Sequence, residues 1–321
     1  MNLIGMPLKP EAYQGSGQKA PYFEGWYYRV QTAGGETVAL IPGICKTKNG
    51  AHAFVQLIAS FLERTFYFDY PARKFVPSGG ELLFCVGDNL FSNDRMELDI
   101  RREIAVRGTV EFRNPTEYSA GFWGRDIMGP FSLLPYLECR HGVVCVKSSL
   151  AGSLNISGRT MDFDGGTGYI EKDWGRFFPR SYVWMESARF AHSDASFMLS
   201  YADVPVFGKS IRGLIAFLYF RGKFYRFATY SAASVTRFFQ KNGEIFLRAE
   251  SPFFRIDVKA YSGQGGELAA PAEDGMAGRI RECSNGTLEV RLTDRHDRTI
   301  FQDTAANAGI EIVDPDDRLT R

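Results

Sequence analysis

Ionisable side chains lie among large aromatic residues in the segment 168–187, GYIEKDWGRFFPRSYVWMES. Ionisable groups cost free energy when they are buried without a partner, so this mixture needs a structural or a chemical reason. If the segment begins as a strand, Glu171 and Asp173 face one side, and Lys172 and Trp174 face the other. Two carboxyl groups on one face raise the pKa of one of them by mutual repulsion, which lets it hold a proton.

A second cluster, YFEGWYYR at 22–29, repeats the mixture of acid, base and aromatic rings. We expect the two clusters to face one pocket. The acids of the first cluster also have a structural interpretation, because ion pairs perturb carboxyl groups as active sites do. In that interpretation they pair with neighbouring basic residues and fix a strand that crosses between two barrels; the candidates are Lys172, Arg176 and Arg180.

Length and composition limit the number of domains and the type of partner that can be expected. A chain of 321 residues exceeds the usual size of one core, so two domains are expected. The 38 basic and 37 acidic residues nearly balance, which argues against a nucleic-acid partner. The 27 Phe, 15 Tyr and 4 Trp supply rings that can pack cores or line an apolar cavity.

The cysteines and the apolar runs predict a compartment. Five cysteines without a CxxC pair, in a sequence without a secretory segment at its start, favour reduced thiols and a cytoplasmic location. Membrane-spanning helices need roughly 18 or more consecutive apolar residues, and the sequence has no such run. We therefore expect a soluble protein, with peripheral membrane contact allowed if its substrate is a lipid.

Short runs rich in β-branched and aromatic residues, separated by turn residues, predict an all-β protein. Examples are TVALIPGIC at 37–45 and IRGLIAFLYF at 211–220. The Asn-Gly pairs at 49–50, 242–243 and 285–286 favour tight hairpins. So many strands at short spacing predict two antiparallel β-barrels or sandwiches packed together.

The glycine-rich stretch at 165–168 suggests a boundary between an N-terminal β-barrel domain, 1–165, and a C-terminal one, 166–321. Each half opens with a similar strand, GWYYRV and SYVWMESARF, which is the pattern of a faint internal duplication. The segment 119–137 is broken by Gly and Pro and predicts a loop with one short helix. The segment 262–278 has the composition of a surface loop or of a lid over a barrel mouth.

Three segments together resemble the tocopherol cyclase family. They are FEGWYYRV at 23–30, GYIEKDWGRFFPRSYVWMES at 168–187 and APAEDGMAGRIRECSNGTLEVRL at 270–292. The resemblance implies two lipocalin-like (calycin) barrels with a ligand cavity, as in the related carotenoid hydratases and some fungal Diels-Alderases. The chain departs from the plant motif at Asp173 and Glu186, where Asn and Gln are expected.

The resemblance implies a cofactor-independent, acid-catalysed closure of a prenylated benzoquinol to a chromanol. That chemistry needs a protonated carboxyl group and aromatic faces that stabilise a cation. The predicted catalytic residues are Glu171, Asp173 and Glu24. The predicted substrate-binding residues are Trp26, Tyr28, Lys172, Trp174, Phe178, Arg180, Trp184 and Glu186.

Other motifs predict no further chemistry. The four histidines, His52, His141, His192 and His296, lack metal-ligand spacing and are interpreted as surface or core residues, so no metal and no cofactor are predicted. The partner is expected to be a small apolar isoprenoid or prenylquinol, and the oligomeric state is left open. Two alternatives remain, which are a non-catalytic lipocalin-like carrier of an apolar ligand and an isoprenoid hydratase.

Overall fold

The computed structural model describes residues 10–119, 126–134, 137–206, 209–263, 265–272 and 274–319. Within these ranges the chain forms two large antiparallel β-sheets and three short 3-10 helices, Ala72–Lys74, Gly129–Leu133 and Thr229–Ser231. The prediction of an all-β protein built from two packed barrels is confirmed. No helix of the described ranges is long and apolar enough to cross a membrane.

The first sheet comprises the twelve strands that come first in the described chain. They are β1 Tyr22–Gln31, β2 Thr37–Thr47, β3 Gly50–Ala59, β4 Phe66–Pro71, β5 Phe75–Pro77, β6 Leu83–Val86, β7 Asn89–Ser92, β8 Arg95–Arg101, β9 Ala105–Glu117, β10 Cys139–Ile156, β11 Arg159–Asp162 and β12 Thr167–Gly175.

The second sheet comprises the ten described strands that follow. They are β13 Tyr182–Ser187, β14 Ala195–Val206, β15 Lys209–Phe220, β16 Lys223–Ala228, β17 Ser234–Lys241, β18 Glu244–Glu250, β19 Phe254–Tyr261, β20 Gly266–Ala272, β21 Gly275–Asp294 and β22 Thr299–Val313.

The two sheets share one connection pattern. In each, the first strand lies between the second strand and the last one, so β1 lies between β2 and β12, and β13 lies between β14 and β22. The similar sequences GWYYRV and SYVWMESARF thus begin at equivalent places in the two sheets. This equivalence is what an internal duplication predicts.

Three turn and loop predictions have different outcomes. Asn49-Gly50 and Asn242-Gly243 lie at the β2–β3 and β17–β18 turns, as predicted; Asn242 and Gly243 have φ of 52° and 79°, which suits a two-residue hairpin. The hairpin predicted at Asn285-Gly286 is wrong, because this pair lies inside β21, where the pairing with β22 shifts register. A β-bulge, like a turn, favours glycine, which explains the error.

The loop predictions for segments 119–137 and 262–278 also have different outcomes. The described part of 119–137 holds the 3-10 helix Gly129–Leu133, as expected, while 120–125 and 135–136 lie outside the described residues. The loop predicted at 262–278 is instead mostly the β20–β21 hairpin; residues 264 and 273 lie outside the described chain. Pairing along β21 overrides the local loop composition.

The change from one sheet to the other falls between Gly175 and Tyr182, after the predicted boundary at 165/166. Gly165, with φ of 71°, instead supports the tight turn between β11 and β12. The division into two domains stays a prediction, and the sheets would place its boundary after Gly175.

Each sheet wraps its own apolar core, and a third core fills the space between them. The first core contains Trp26 and Tyr28, and the third contains Tyr27, Tyr169 and Trp184. Strands β1, β12 and β13 are therefore buried on both faces over most of their length, since each has a barrel core on one side and the other sheet on the opposite side. Side chains of β1, β12 and β13 that point away from the barrel cores therefore meet in the space between the two sheets.

Candidate active site

A cavity of about 220 Å³ lies between the two sheets. Apolar side chains form most of its wall, among them Phe23, Ile41, Phe54, Ile215 and Leu268. The last of these lies on the β20–β21 hairpin, which therefore closes part of the cavity. A concave apolar pocket with a few polar groups is the usual form of a small-molecule site.

Strands β1 and β12 present alternate residues to this cavity. Tyr27 of β1 and Glu171 and Asp173 of β12 line it, and Tyr27 and Glu171 are cross-strand partners. Lys172 and Trp174 of the same strand point away from the cavity, toward the first core. This is the division of faces that the alternation of a strand predicts for the EKDW segment.

Glu171 is held by donors from both sheets. Its Oε2 accepts a hydrogen bond from the Tyr169 hydroxyl at 2.6 Å and another from the Trp184 indole N–H at 3.3 Å. Glu171 is 4% exposed, so these two donors take the place of water around its carboxyl group. Two hydrogen bonds to one oxygen stabilise a negative charge there.

His141 of β10 lies between the two acids of β12. Its Nδ1 is 2.9 Å from Asp173 Oδ1, and its Nε2 is 3.4 Å from Glu171 Oε2. Burial alone would lower the pKa of His141, but the two carboxylates outweigh it and hold that pKa well above its usual value. The ring is therefore an imidazolium that donates to Asp173 and carries its positive charge beside Glu171.

Glu311 of β22 enters the cavity from the second sheet. Its Oε2 accepts a hydrogen bond from the Tyr182 hydroxyl at 2.8 Å. Burial, and after it the nearby carboxyl of Glu282, raises the pKa of Glu311 well above its usual value; the Tyr182 hydrogen bond opposes this shift, and the carboxyls of Glu171 and Asp173 add to it. The surroundings of Glu311 therefore favour its protonated form.

Two more buried carboxyl groups lie close to this group. Glu282 accepts a hydrogen bond from the Tyr27 hydroxyl at 2.6 Å, and burial raises its pKa to about 7. Glu186 pairs with Arg29 at 3.2 Å, yet burial raises its pKa to about 8 because Arg29 only partly offsets it. The carboxyls between the sheets therefore differ widely in how readily they hold a proton.

The first sheet buries a separate ion pair on the opposite face of β1 and β12. Lys172 Nζ lies 2.6 Å from Glu24 Oε1 and stands over the rings of Trp26 and Trp174, at 4.8 and 4.7 Å from their centroids. It also donates to carbonyl oxygens in segment 10–12 at 2.8 and 2.5 Å. Burial lowers the pKa of Lys172, and Glu24 opposes that shift. This cluster anchors the segment that precedes β1.

The structure places the predicted site residues in different surroundings. Four line the cavity, namely Glu171, Asp173, Phe178 and Trp184. The placement of the others is corrected, because strand alternation turns five of them toward the first core, namely Glu24, Trp26, Tyr28, Lys172 and Trp174. Arg180 is exposed between β12 and β13, and Glu186 is buried against Arg29.

Sequence reasoning missed the cavity residues His141, Tyr182 and Glu311. His141 was interpreted as a surface or core residue, but β10 pairs with β12 so that His141 stands opposite Asp173. Glu311 interrupts the apolar run AGIEIV, and a single acid in such a run is a sign that could have been used. The pairing of β10 with β12, which brings His141 beside Asp173, had no comparable sign in the sequence.

Within the described residues, His141, Glu171 and Asp173 bring one potential metal-ligand atom each within 4.8 Å of one another. Their mutual contacts argue against an ion there. Glu171 Oε2 already accepts two hydrogen bonds, and the two ring nitrogens of His141 lie 2.9 Å from Asp173 Oδ1 and 3.4 Å from Glu171 Oε2. We assign these three groups to an ion-pair network.

Comparison with known proteins identifies relatives of the chain. The family model described as "Tocopherol cyclase-like" matches residues 122–313, more than half of the sequence. A protein of Oryza sativa subsp. japonica, described as a probable chloroplastic tocopherol cyclase, is 23% identical over 204 residues. This match covers 59% of the chain and 42% of the rice protein, so the chain spans less than half of that relative.

Two solved structures share the fold. One is a putative AttH from Nitrosomonas europaea, with a TM-score of 0.57 and 12% identity, covering 97% of this chain and 99% of that one. The other is kievitone hydratase from Nectria haematococca, with a TM-score of 0.50 and 10% identity, covering 96% and 95%. At these identities the likeness establishes the double-barrel fold alone.

Proposed function

Because the chain belongs to the tocopherol cyclase-like family, we propose that it is an enzyme that adds an O–H group across a carbon–carbon double bond of an isoprenoid by acid catalysis. The leading reaction is closure of a prenylated hydroquinone to a chromanol. One observation carries the proposal, which is that carboxyl groups of Glu171, Asp173 and Glu311 share an apolar cavity with aromatic rings.

The reaction consists of one protonation and one capture. A carboxyl group gives its proton to the trisubstituted double bond nearest the ring, so a C–H bond forms and a tertiary cation develops. The neighbouring phenol oxygen attacks that carbon, and the phenol proton passes to a base. Substrate and product have the same mass, and the step balances without an oxidant, a reductant or a nucleotide.

Aromatic rings line the cavity in which such a cation would develop. Tyr27 and Trp184 lie edge to face with centroids 5.4 Å apart, and Phe23 and Phe178 do so at 5.2 Å. All four rings line the cavity. A cation over an aromatic face gains roughly 0.5–2 kcal/mol, and more where water is excluded. The rings therefore suit the charge that develops on the tertiary carbon.

The proposed ligand is an apolar isoprenoid, because most of the cavity wall is apolar. Such a substrate partitions into lipid. Peripheral contact with a membrane, from which the substrate would be drawn, belongs to the same proposal.

Anaerobic incubation of the purified protein with phytyl- and geranylgeranyl-hydroquinone tests the proposal. The expected product is a chromanol of unchanged mass, formed as a single enantiomer only when protein is present. Glu171→Gln should lower turnover while leaving the melting temperature close to that of the wild type. Loss of the fold in this variant would favour the structural role of Glu171, and a folded wild type that yields no chromanol would contradict the cyclase.

Hydration of the double bond is the second candidate, and one observation favours it. Within the described part of the chain, Nε2 of His141 is buried and makes no hydrogen bond of good geometry, although it lies 3.4 Å from Glu171 Oε2 in an ion pair. A water bound there would satisfy it and would stand beside the carboxyl groups of the cavity. Hydration adds the mass of one water, so incubation in ¹⁸O-labelled water separates it from cyclisation, which incorporates no label.

A further inference from the structure

Two carboxyl groups face the cavity from different sheets, in opposite electrostatic surroundings. Glu171 reaches it from β12 of the first sheet and Glu311 from β22 of the second. We infer that Glu311 gives the proton to the double bond and that Glu171, supported by His141 and Asp173, takes the proton from the phenol. This assignment rests on the proposed function and divides its acid and base between the two barrels.

The contacts of Glu171 suit a proton acceptor. Tyr169 and Trp184 donate to its Oε2, which leaves Oε1 for a substrate hydroxyl. The imidazolium of His141 lies 3.4 Å from the same carboxylate, and Asp173 fixes that ring through Nδ1. The positive charge of the His141 ring is balanced by Asp173. The ring therefore stabilises a negative charge on Glu171 without adding a net positive charge to the cavity. Glu171 is therefore positioned by its contacts to accept a proton.

The contacts of Glu311 suit a proton donor. The charged groups that act most strongly on it are three carboxyls, of Glu282, Glu171 and Asp173, and all of them oppose a further negative charge. Glu282 is also its cross-strand partner on β21, and Trp184 is its partner on β13. The Tyr182 hydroxyl donates to Oε2 at 2.8 Å, so the proton is on Oε1. Two carboxyls whose surroundings differ in this way mark an acid and a base.

The proton balance of this assignment closes. The O–H bond of Glu311 breaks as the C–H bond forms, and the Tyr182 hydrogen bond then stabilises the new carboxylate. The phenol O–H bond breaks as the C–O bond forms, and Glu171 receives that proton. The two carboxyl groups end with their charges exchanged, and one proton transfer from Glu171 to Glu311 through the emptied cavity restores the starting state.

Deuterium exchange separates the two roles. In D₂O the enzyme is given the prenylated hydroquinone and, separately, the same compound methylated on the oxygen that closes the ring. The methyl ether has no proton to lose from the ring-closing oxygen and cannot complete the cyclisation, so it reports protonation of the double bond alone, by deuterium gained at the alkene. Wild type should cyclise the first compound and exchange deuterium into the second.

The variants give opposite expectations. Glu311→Gln should lower cyclisation by roughly 10²- to 10⁴-fold, the usual contribution of a general acid, and should abolish exchange in the ether. Glu171→Gln should slow cyclisation but leave exchange in the ether. The matched control is Glu289→Gln, an exposed carboxyl on the outside of β21 that should behave as wild type.

Three results would overturn the assignment. Cyclisation at the wild-type rate by folded Glu311→Gln would exclude Glu311 as the donor while leaving the cyclase intact. Exchange that survives in Glu311→Gln but is lost in Glu171→Gln would reverse the two roles. Absence of both cyclisation and exchange in the wild type would overturn the proposed function together with the assignment. If Glu311→Gln does not fold, Tyr182→Phe replaces it; it should slow exchange in the ether, and exchange at the wild-type rate in this variant would contradict the role of Glu311.

Discussion

At the scale of single residues, carboxyl groups crowd the space between the two sheets and depend on different partners. Glu186 has Arg29, whereas Glu282 and Glu311 have tyrosine hydroxyls. Burial without a full counter-charge makes the neutral acid the stable form. The folded protein therefore holds protons near neutral pH that the unfolded chain would release.

This difference predicts how stability depends on pH. The pKa of Glu282 is about 7 and that of Glu186 about 8 in the folded protein, against 4.5 for an ordinary glutamate. A raised pKa makes a stabilising contribution that is complete below the unfolded value and is lost as pH rises through the folded one. The free energy of unfolding should therefore fall between about pH 5 and 9, as measured by urea unfolding.

Variants test the source of that pH dependence. Glu282→Gln and Glu186→Gln should each flatten the decline, because an amide does not titrate. The exposed Glu289→Gln serves as the control and should keep the wild-type slope. Equal slopes in all four proteins would show that these two carboxyls do not carry the effect.

The buried Lys172–Glu24 pair predicts a stability defect separate from the cavity. Lys172→Met should leave Glu24 buried without its cation and cost about 3–5 kcal/mol of unfolding free energy. The double variant Glu24→Gln, Lys172→Met should recover part of that loss, because no unpaired charge remains. Urea unfolding measures both, and a single variant as stable as the wild type would contradict the ion pair.

At the scale of elements, the β20–β21 hairpin forms one wall of the cavity and is fastened to the first sheet. The Gln56 amide on β3 donates to Ala269 O at 3.0 Å and accepts from Ala269 N at 2.9 Å. Thr65 also donates to the carbonyl of Glu267. A side chain of one barrel thus acts as a strand partner for the other.

Gln56→Ala should loosen the attachment of the β20–β21 hairpin to the first sheet. We expect faster amide hydrogen exchange across residues 266–282 and a KM raised several-fold, with a smaller change in kcat, since the carboxyl groups stay in place. Gln302→Ala, at an exposed position on β22, is the control. Unchanged exchange in the hairpin would show that the Gln56 bonds do not hold it.

Much of the element content could be predicted from sequence, because strand alternation and turn chemistry are local. That Glu171 and Asp173 share one face follows from the period of a strand. Which strands meet is not local, so His141 and Glu311 were missed although each stands one strand away from a predicted site residue. For the same reason Asn285-Gly286 was taken for a turn, although long-range pairing keeps it within β21.

At the scale of the whole molecule, Arg29 joins the two barrels. It lies on β1 of the first sheet, yet it pairs with Glu186 of β13 and donates to the carbonyls of Ser284 and Asn307 in the second sheet. The cavity exists only where the two sheets meet. Coupling between the barrels and assembly of the site therefore depend on the same buried cation.

Arg29→Met should weaken both together. Removing the guanidinium leaves Glu186 without its partner and the carbonyls of Ser284 and Asn307 without a donor, so we expect a lower melting temperature and loss of turnover in calorimetry and product assays. Arg113→Met, on the exposed outer side of β9, should change neither. A variant with reduced stability but full activity would show that the site does not need this link.

The most direct test of the central claim, protonation of a double bond inside the cavity, is the position of deuterium in a chromanol formed in D₂O. The account predicts one deuterium on the ring carbon next to the newly bonded carbon, in a single diastereomer, as seen by NMR spectroscopy. A chromanol without deuterium, an equal mixture of diastereomers, or tight binding of the hydroquinone without turnover would contradict it.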